Sequence, residues 1–198
     1  YAENNTLETN DGVARDEVLR LAASVEQGSG HPVALAIVEA ALDAIKTKHG
    51  IERLALAGQS GGGHLVGALL AKRNDITCAA ISSGVLSVRS RSHVHGWFGR
   101  DFTGYWTYVD PVALANDVPE NPTRRIFVIG DPEDSNSPFA TQVEYHYALR
   151  AMGQGSVLIQ AQGDGPENHG LAWTGIGVAA DCASGMTTDD IVAKYEAD

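Results

Sequence analysis

From residue 51 onward, short apolar runs alternate with longer stretches in which apolar residues recur at helical spacing. Ile51–Ala57, Ile76–Ser82, Arg125–Gly130 and Ser156–Gln160 read as strands. A helix-like stretch follows the first strand directly after the turn at 58–63, and others cover Ser137–Met152 and Leu171–Ala183. Thr187-Thr188-Asp189-Asp190 reads as a capping box opening a last helix through Tyr195. Upstream, Val33, Ile37, Val38, Ala41, Leu42 and Ile45 keep helical spacing from Val33 to Lys48, with Pro32 in the first turn and His49-Gly50 as the stop. Residues 16–26 fit a helix slightly better than a strand, and residues 1–14 are polar enough for a flexible lead-in. The expected organisation is that lead-in followed by one domain over 15–198, with a helical stretch at 15–50 and a core at 51–185. Strands separated by helices predict an α/β fold, a mostly parallel sheet joined by right-handed crossovers.

Such sheets carry reactive groups at the carboxyl ends of their strands. Ser60 follows the first strand, Asp131 and Asp134 the third, and His169 the fourth. Ser60 sits in Gly58-Gln59-Ser60-Gly61-Gly62, strand before and helix after, the G-x-S-x-G layout that strains a serine into exposure. Gly58 and Gly62 are expected to face each other across that turn, where a Cβ on either would collide. The N–H of Gly61, at the helix start, is a candidate oxyanion donor. Serine is too weak an acid to attack a carbonyl unaided, so a histidine must take its proton and a carboxylate must orient the histidine.

With these residues in order, the chain from 51 to about 185 resembles the α/β-hydrolase-fold serine hydrolases, in particular the prolyl-oligopeptidase-like and dienelactone-hydrolase-like branches. Their acid turn, G-x-x-D-x-x-V-P, is matched by Asp131-Pro132-Glu133-Asp134-Ser135-Asn136-Ser137-Pro138, with Ser137 for the valine. Their G-x-x-H-G-[FL] loop is matched by Pro166-Glu167-Asn168-His169-Gly170-Leu171. The resemblance implies an ester or amide hydrolase, esterase or peptidase, that works through an acyl-enzyme without a cofactor. Its triad would be Ser60, Asp134 and His169, and its substrate a small ester or peptide-like molecule. Asp131 is the alternative acid, and Asp134 could instead cap the following helix. The stretch ahead of Ser60 is short for this family, so its N-terminal part is missing or atypical. Gln27–His31 could be a remnant of the second oxyanion loop, with Leu19–Ser24 its strand and Gly28 or Ser29 the donor. Without that donor the same fold would be a catalytically impaired binding module. A sheet lacking its first strands exposes an edge, through which a homodimer is the expected assembly.

The remaining features change this picture little. A net charge of −11 argues against nucleic acid or an anionic membrane as partner. No apolar run reaches the length of a membrane span. Cys78 and Cys182, the two cysteines, lie in apolar surroundings and are expected as buried free thiols rather than a disulfide. Asn4-Asn5-Thr6 fits a glycosylation sequon, as chance allows. His64 reads as packing or surface, His146 has no evident role, and His93 and His95 lack a third ligand for a metal. Trp97, Phe102, Tyr105 and Trp106 fall in an irregular stretch that could wall a substrate pocket or fill the core. Finally, the stretch containing Ser29-Gly30-His31-Pro32 is similar to the S-E-H-P helix of the nucleotide-binding domain in metal-transporting P-type ATPases. The aspartyl-phosphate motif of those proteins is absent, so a nucleotide-binding fragment is the weakest alternative.

Overall fold

The computed structural model describes residues 32–101, 104 and 106–197. The readings made for residues 1–31, and for Phe102 and Tyr105, lie outside them. Four strands, β1 (Leu54–Gln59), β2 (Ile76–Ser82), β3 (Arg125–Gly130) and β4 (Ser156–Gln160), form a parallel sheet in the order β1-β2-β3-β4. The helices are α1 (Pro32–His49), α2 (Gly61–Leu69), α3 (Val88–Val94), α4 (Phe139–Ala151), α5 (Ala172–Ala183) and α6 (Thr188–Tyr195), with a 3-10 turn at Pro111–Asp117.

The strands are apolar nearly throughout because both faces of the sheet are covered. Along β3 the side chains alternate between two cores. Ile126 and Val128 point to the side of α2 and α4, and Phe127 and Ile129 to the side of α5 and α6. The pairing register of β1 and β2 shifts between Leu54 and Ala55, a bulge after which Ala79 and Ile81 face one core and Cys78 and Ala80 the other. Tyr145 is fully buried in the first core and donates to Gly67 O at 2.9 Å, tying α4 to α2. The α6 cap is as expected, with Thr187 Oγ1 accepting from Asp190 N.

Two expectations change. Cys78 and Cys182 form a disulfide, their Cα atoms 6.0 Å apart, where two free thiols were expected. The packing of α5 across β2 brings the two side chains together. Their separation of 104 residues left no local sign of it. The irregular stretch after β2 also contains a short helix, α3. Ser87 Oγ accepts from Ser90 N at its start, and the Asp110 carboxylate accepts from Val88 N and Arg89 N.

Candidate active site

All three sequence-selected chain turns lie at the carboxyl ends of strands, on one end of the sheet. At the first, Ser60 adopts φ 54° and ψ −118°, a conformation a side-chain-bearing residue takes only when its surroundings impose it. The Ser60 N–H donates to Ser82 O at 2.9 Å, and its carbonyl accepts the first helical bond of α2 from His64 N. A Cβ on Gly58 would stand 2.3 Å from Gly62 O, so the turn closes only over glycine there. The converse expectation fails, since a Cβ on Gly62 would meet nothing within 4 Å. Gly62 points outward, and the close approach is one-sided. Gly61 is the first residue of α2, where backbone N–H groups have no partner within the helix.

At the second turn the two aspartates divide their work. Asp131 Oδ1 accepts from Glu133 N and Oδ2 from Gly163 N, both at 2.7 Å, so this carboxylate clips the acid loop to the histidine loop. Asp134 is buried, with Oδ1 accepting from Asn136 N at 2.9 Å and Ser137 N at 2.8 Å. Its second oxygen, Oδ2, lies 2.8 Å from His169 Nδ1. The helix-cap alternative does not describe it: the N-cap of α4 is Pro138, without a side-chain bond.

The third turn is closed by paired bonds between Asp164 and Gly170, and Asn168 takes φ 52°. That hairpin presents His169, partly exposed, with Nδ1 turned to Asp134. The side chain of Gln59, the residue before Ser60, donates to His169 O at 2.8 Å and ties the histidine loop to the Ser60 turn. Among the described residues Ser60 Oγ makes no hydrogen bond to His169 Nε2 within 3.5 Å. Such contacts are often long before substrate binds.

Among the described residues the other histidines stay apart from this arrangement. His64 is buried, with Nδ1 2.7 Å from Val85 O and Nε2 unpartnered, and burial holds it neutral by lowering its pKa. His95 stacks on Trp97 at 4.6 Å, and His146 Nδ1 lies 3.0 Å from Ser156 Oγ. Among the described residues no group of three metal-ligating side chains gathers, and no helix is long and apolar enough to cross a membrane. Trp97, Phe98, Arg100, Asp101 and Gly104 wall a cavity of about 400 Å³, and Trp106 is 63% exposed beneath Arg100. Sequence reasoning missed Arg91, whose Nε and Nη2 donate to Asn136 O and Oδ1, both at 3.1 Å. A Ser87 N-cap ahead of Val88-Arg89-Ser90-Arg91 was the signal that could have exposed the helix carrying it.

The profile of the prolyl oligopeptidase family matches residues 35–180, most of the chain and all three turns. The chain belongs to the prolyl oligopeptidase family. No curated protein matches it significantly by sequence. Among solved structures, acylaminoacyl peptidase from Pyrococcus horikoshii superposes with a TM-score of 0.61 at 16% identity, over 93% of this chain and 29% of that one. An esterase from Pyrococcus furiosus gives 0.55 at 11% identity, over 84% and 63%. A Klebsiella pneumoniae protein assigned as a dienelactone hydrolase gives 0.52 at 19%, over 82% and 61%. These likenesses establish the α/β-hydrolase fold expected from the sequence. This prolyl oligopeptidase family chain spans under a third of the peptidase and less than two-thirds of the other two.

Proposed function

We propose that this chain is the triad-bearing part of a serine hydrolase that cleaves an ester or peptide-like bond through an acyl-enzyme. The hydrogen bond between His169 Nδ1 and Asp134 Oδ2, 2.8 Å long, carries the reading. A buried carboxylate on that nitrogen holds the proton on Nδ1 and leaves Nε2 free to accept one. Ser60 Oγ then attacks the carbonyl carbon as its proton passes to His169 Nε2. The tetrahedral oxyanion collapses, the C–O or C–N bond breaks, and Nε2 returns the proton to the leaving group. Water repeats the sequence to release the acid. Gly61 N–H is one oxyanion donor. The expected second, Gly28 or Ser29, lies outside the described residues. The name acylaminoacyl peptidase and the family favour an acylated peptide over a simple ester as the natural substrate.

A fluorophosphonate probe tests this. Ser60 in the folded wild-type chain should become labelled, and Ser60→Ala should not. Absence of an adduct on Ser60 would sink the proposal. A second reading, the same fold as a binding module with an incomplete oxyanion hole, predicts slow labelling without turnover of p-nitrophenyl esters. Loss of one donor costs on the order of 3–4 kcal/mol in the transition state.

A further inference from the structure

Between the acid loop and the histidine loop, hydrogen bonds converge on one residue, Asn136. Its backbone N–H donates to Asp134 Oδ1 at 2.9 Å. Its side-chain Nδ2 donates to Glu167 Oε2 at 3.0 Å, two residues before His169. The neighbouring Ser135 N–H donates to Glu167 O at 3.1 Å, so the two loops are stitched side by side. Both remaining acceptors of Asn136, its carbonyl and its Oδ1, are held by one side chain, Arg91 of α3.

That fork decides which way the amide points. With Oδ1 on the guanidinium, Nδ2 can only face Glu167; rotated by half a turn, the amide would set N–H against N–H on one side and oxygen against carboxylate on the other. Lysine cannot reproduce the fork, because an ammonium is a single point of charge. The Arg91 guanidinium is itself fixed, 5.2 Å above the Trp97 ring and within the field of the Asp134 and Glu167 carboxylates.

We infer that Arg91 is a positioning residue that sets the spacing of the acid and histidine loops through Asn136, and so aligns His169 on Asp134. The inference rests on the triad reading above. Arg91 reaches the histidine loop by way of Asn136. Displacing a catalytic group by about 1 Å costs on the order of a hundredfold.

Arg91→Ala should lower kcat/KM for a p-nitrophenyl ester by about 10- to 100-fold and slow fluorophosphonate labelling of Ser60 in parallel. Added methylguanidine should restore part of the loss, and Arg91→Lys should not. In an Asn136→Ala background, Arg91→Ala should add little. The His169 Nδ1–H resonance, observed by NMR, gives a readout independent of turnover and should shift or broaden in Arg91→Ala. A wild-type chain that fails to label while Arg91→Ala still perturbs this resonance would refute the hydrolase reading and leave the positioning role standing. Wild-type rates and an unchanged resonance in Arg91→Ala would overturn the positioning role, as would lost activity that methylguanidine cannot restore in soluble, folded protein. Should Arg91→Ala fail to fold, Asn136→Ala carries the same test: an unperturbed resonance and unchanged kcat/KM overturn the role, and their joint loss supports it.

Discussion

Replacing Asp134 by asparagine separates the proposed orienting role of this carboxylate from its place in the fold. The new amide keeps one oxygen, and the two backbone donors at Asn136 and Ser137, now on Oδ1, can still be satisfied by it. The position of Oδ2, 2.8 Å from His169 Nδ1, is then occupied by an NH₂ group. That group donates, so Nδ1 must become the acceptor and the imidazole proton moves to Nε2. The nitrogen that should receive the Ser60 proton no longer can. The corresponding substitution in serine proteases lowers kcat by about 10⁴, equivalent to about 5.5 kcal/mol of transition-state stabilisation. Stability should change far less, because every buried donor keeps a partner. A loss of about 1 kcal/mol corresponds to about 2–4 °C in Tm for a chain of this size.

Asp131→Asn makes the comparison sharp. Asp131 accepts one N–H on each oxygen, so an amide there must aim its NH₂ at a backbone donor, Glu133 N or Gly163 N. This variant should lose about 1–3 kcal/mol of stability and keep most of its kcat. Steady-state ester hydrolysis and thermal melts on both variants read out the pair. If Asp134→Asn keeps more than about a tenth of wild-type kcat/KM, or if Asp131→Asn shows the larger catalytic loss, the tautomer argument is wrong and Asp134 is not the orienter.

Three further outcomes follow from individual residues. Gly58→Ala should destabilise the chain by several kcal/mol, since its Cβ would meet Gly62 and Gly63 backbone atoms at 2.3–2.8 Å, whereas Gly62→Ala should be tolerated or mildly stabilising; melts that rank the two the other way would refute the one-sided closure. Breaking the Cys78–Cys182 bond, which closes a loop spanning 104 residues, should cost up to about 4.7 kcal/mol and lower Tm by on the order of 10 °C, measured after thiol titration confirms reduction; a Tm within about 2 °C of the oxidised chain would contradict it. His64 is kept neutral in the fold by burial, so the unfolded chain takes up the proton first as pH falls below 6.5. Stability should therefore be complete above that pH and fall below it by up to about 1.4 kcal/mol per pH unit, and His64→Asn should flatten denaturant-derived stability between pH 6.5 and 5; an unchanged slope would count against it.

What the sequence revealed and what it hid divide along the range of the interactions. The boundaries of β2, β3 and β4 were legible because their continuous apolar runs record burial on both faces. Ser60, the acid turn and the histidine loop were legible because each needs local geometry that small or strained residues announce: Gly58 beneath Gly62 O, the Asp134 loop on its own N–H groups, Asn168 at positive φ. The choice between Asp134 and Asp131 was only half legible. Both follow β3, and what separates them is a partner across the fold, His169 for one and the N–H of Gly163 for the other. The disulfide, the α5–β2 packing that makes it, and the fork of Arg91 on Asn136 all join distant parts of the chain. No pattern within a helix or strand encodes them. The Gly62 expectation failed for a related reason, since the five-residue motif names the glycines but not which of them faces inward.

The arrangement of the sheet also locates where the site is least enclosed. Asp134 and His169 follow β3 and β4, with helices on both faces, but Ser60 follows β1, the terminal strand among the described residues. Ala55 and Ala57 of that strand are exposed. On the layer opposite those alanines, α1 leaves Val33 and Ile37 at 56% and 46% exposure. On the layer of α5, Trp173 and Ile176 are exposed as well, at 82% and 50%. An apolar flank on both layers of an open edge is a surface that folded proteins cover. The proposed nucleophile therefore stands at the end of the strand whose edge the described residues leave least covered.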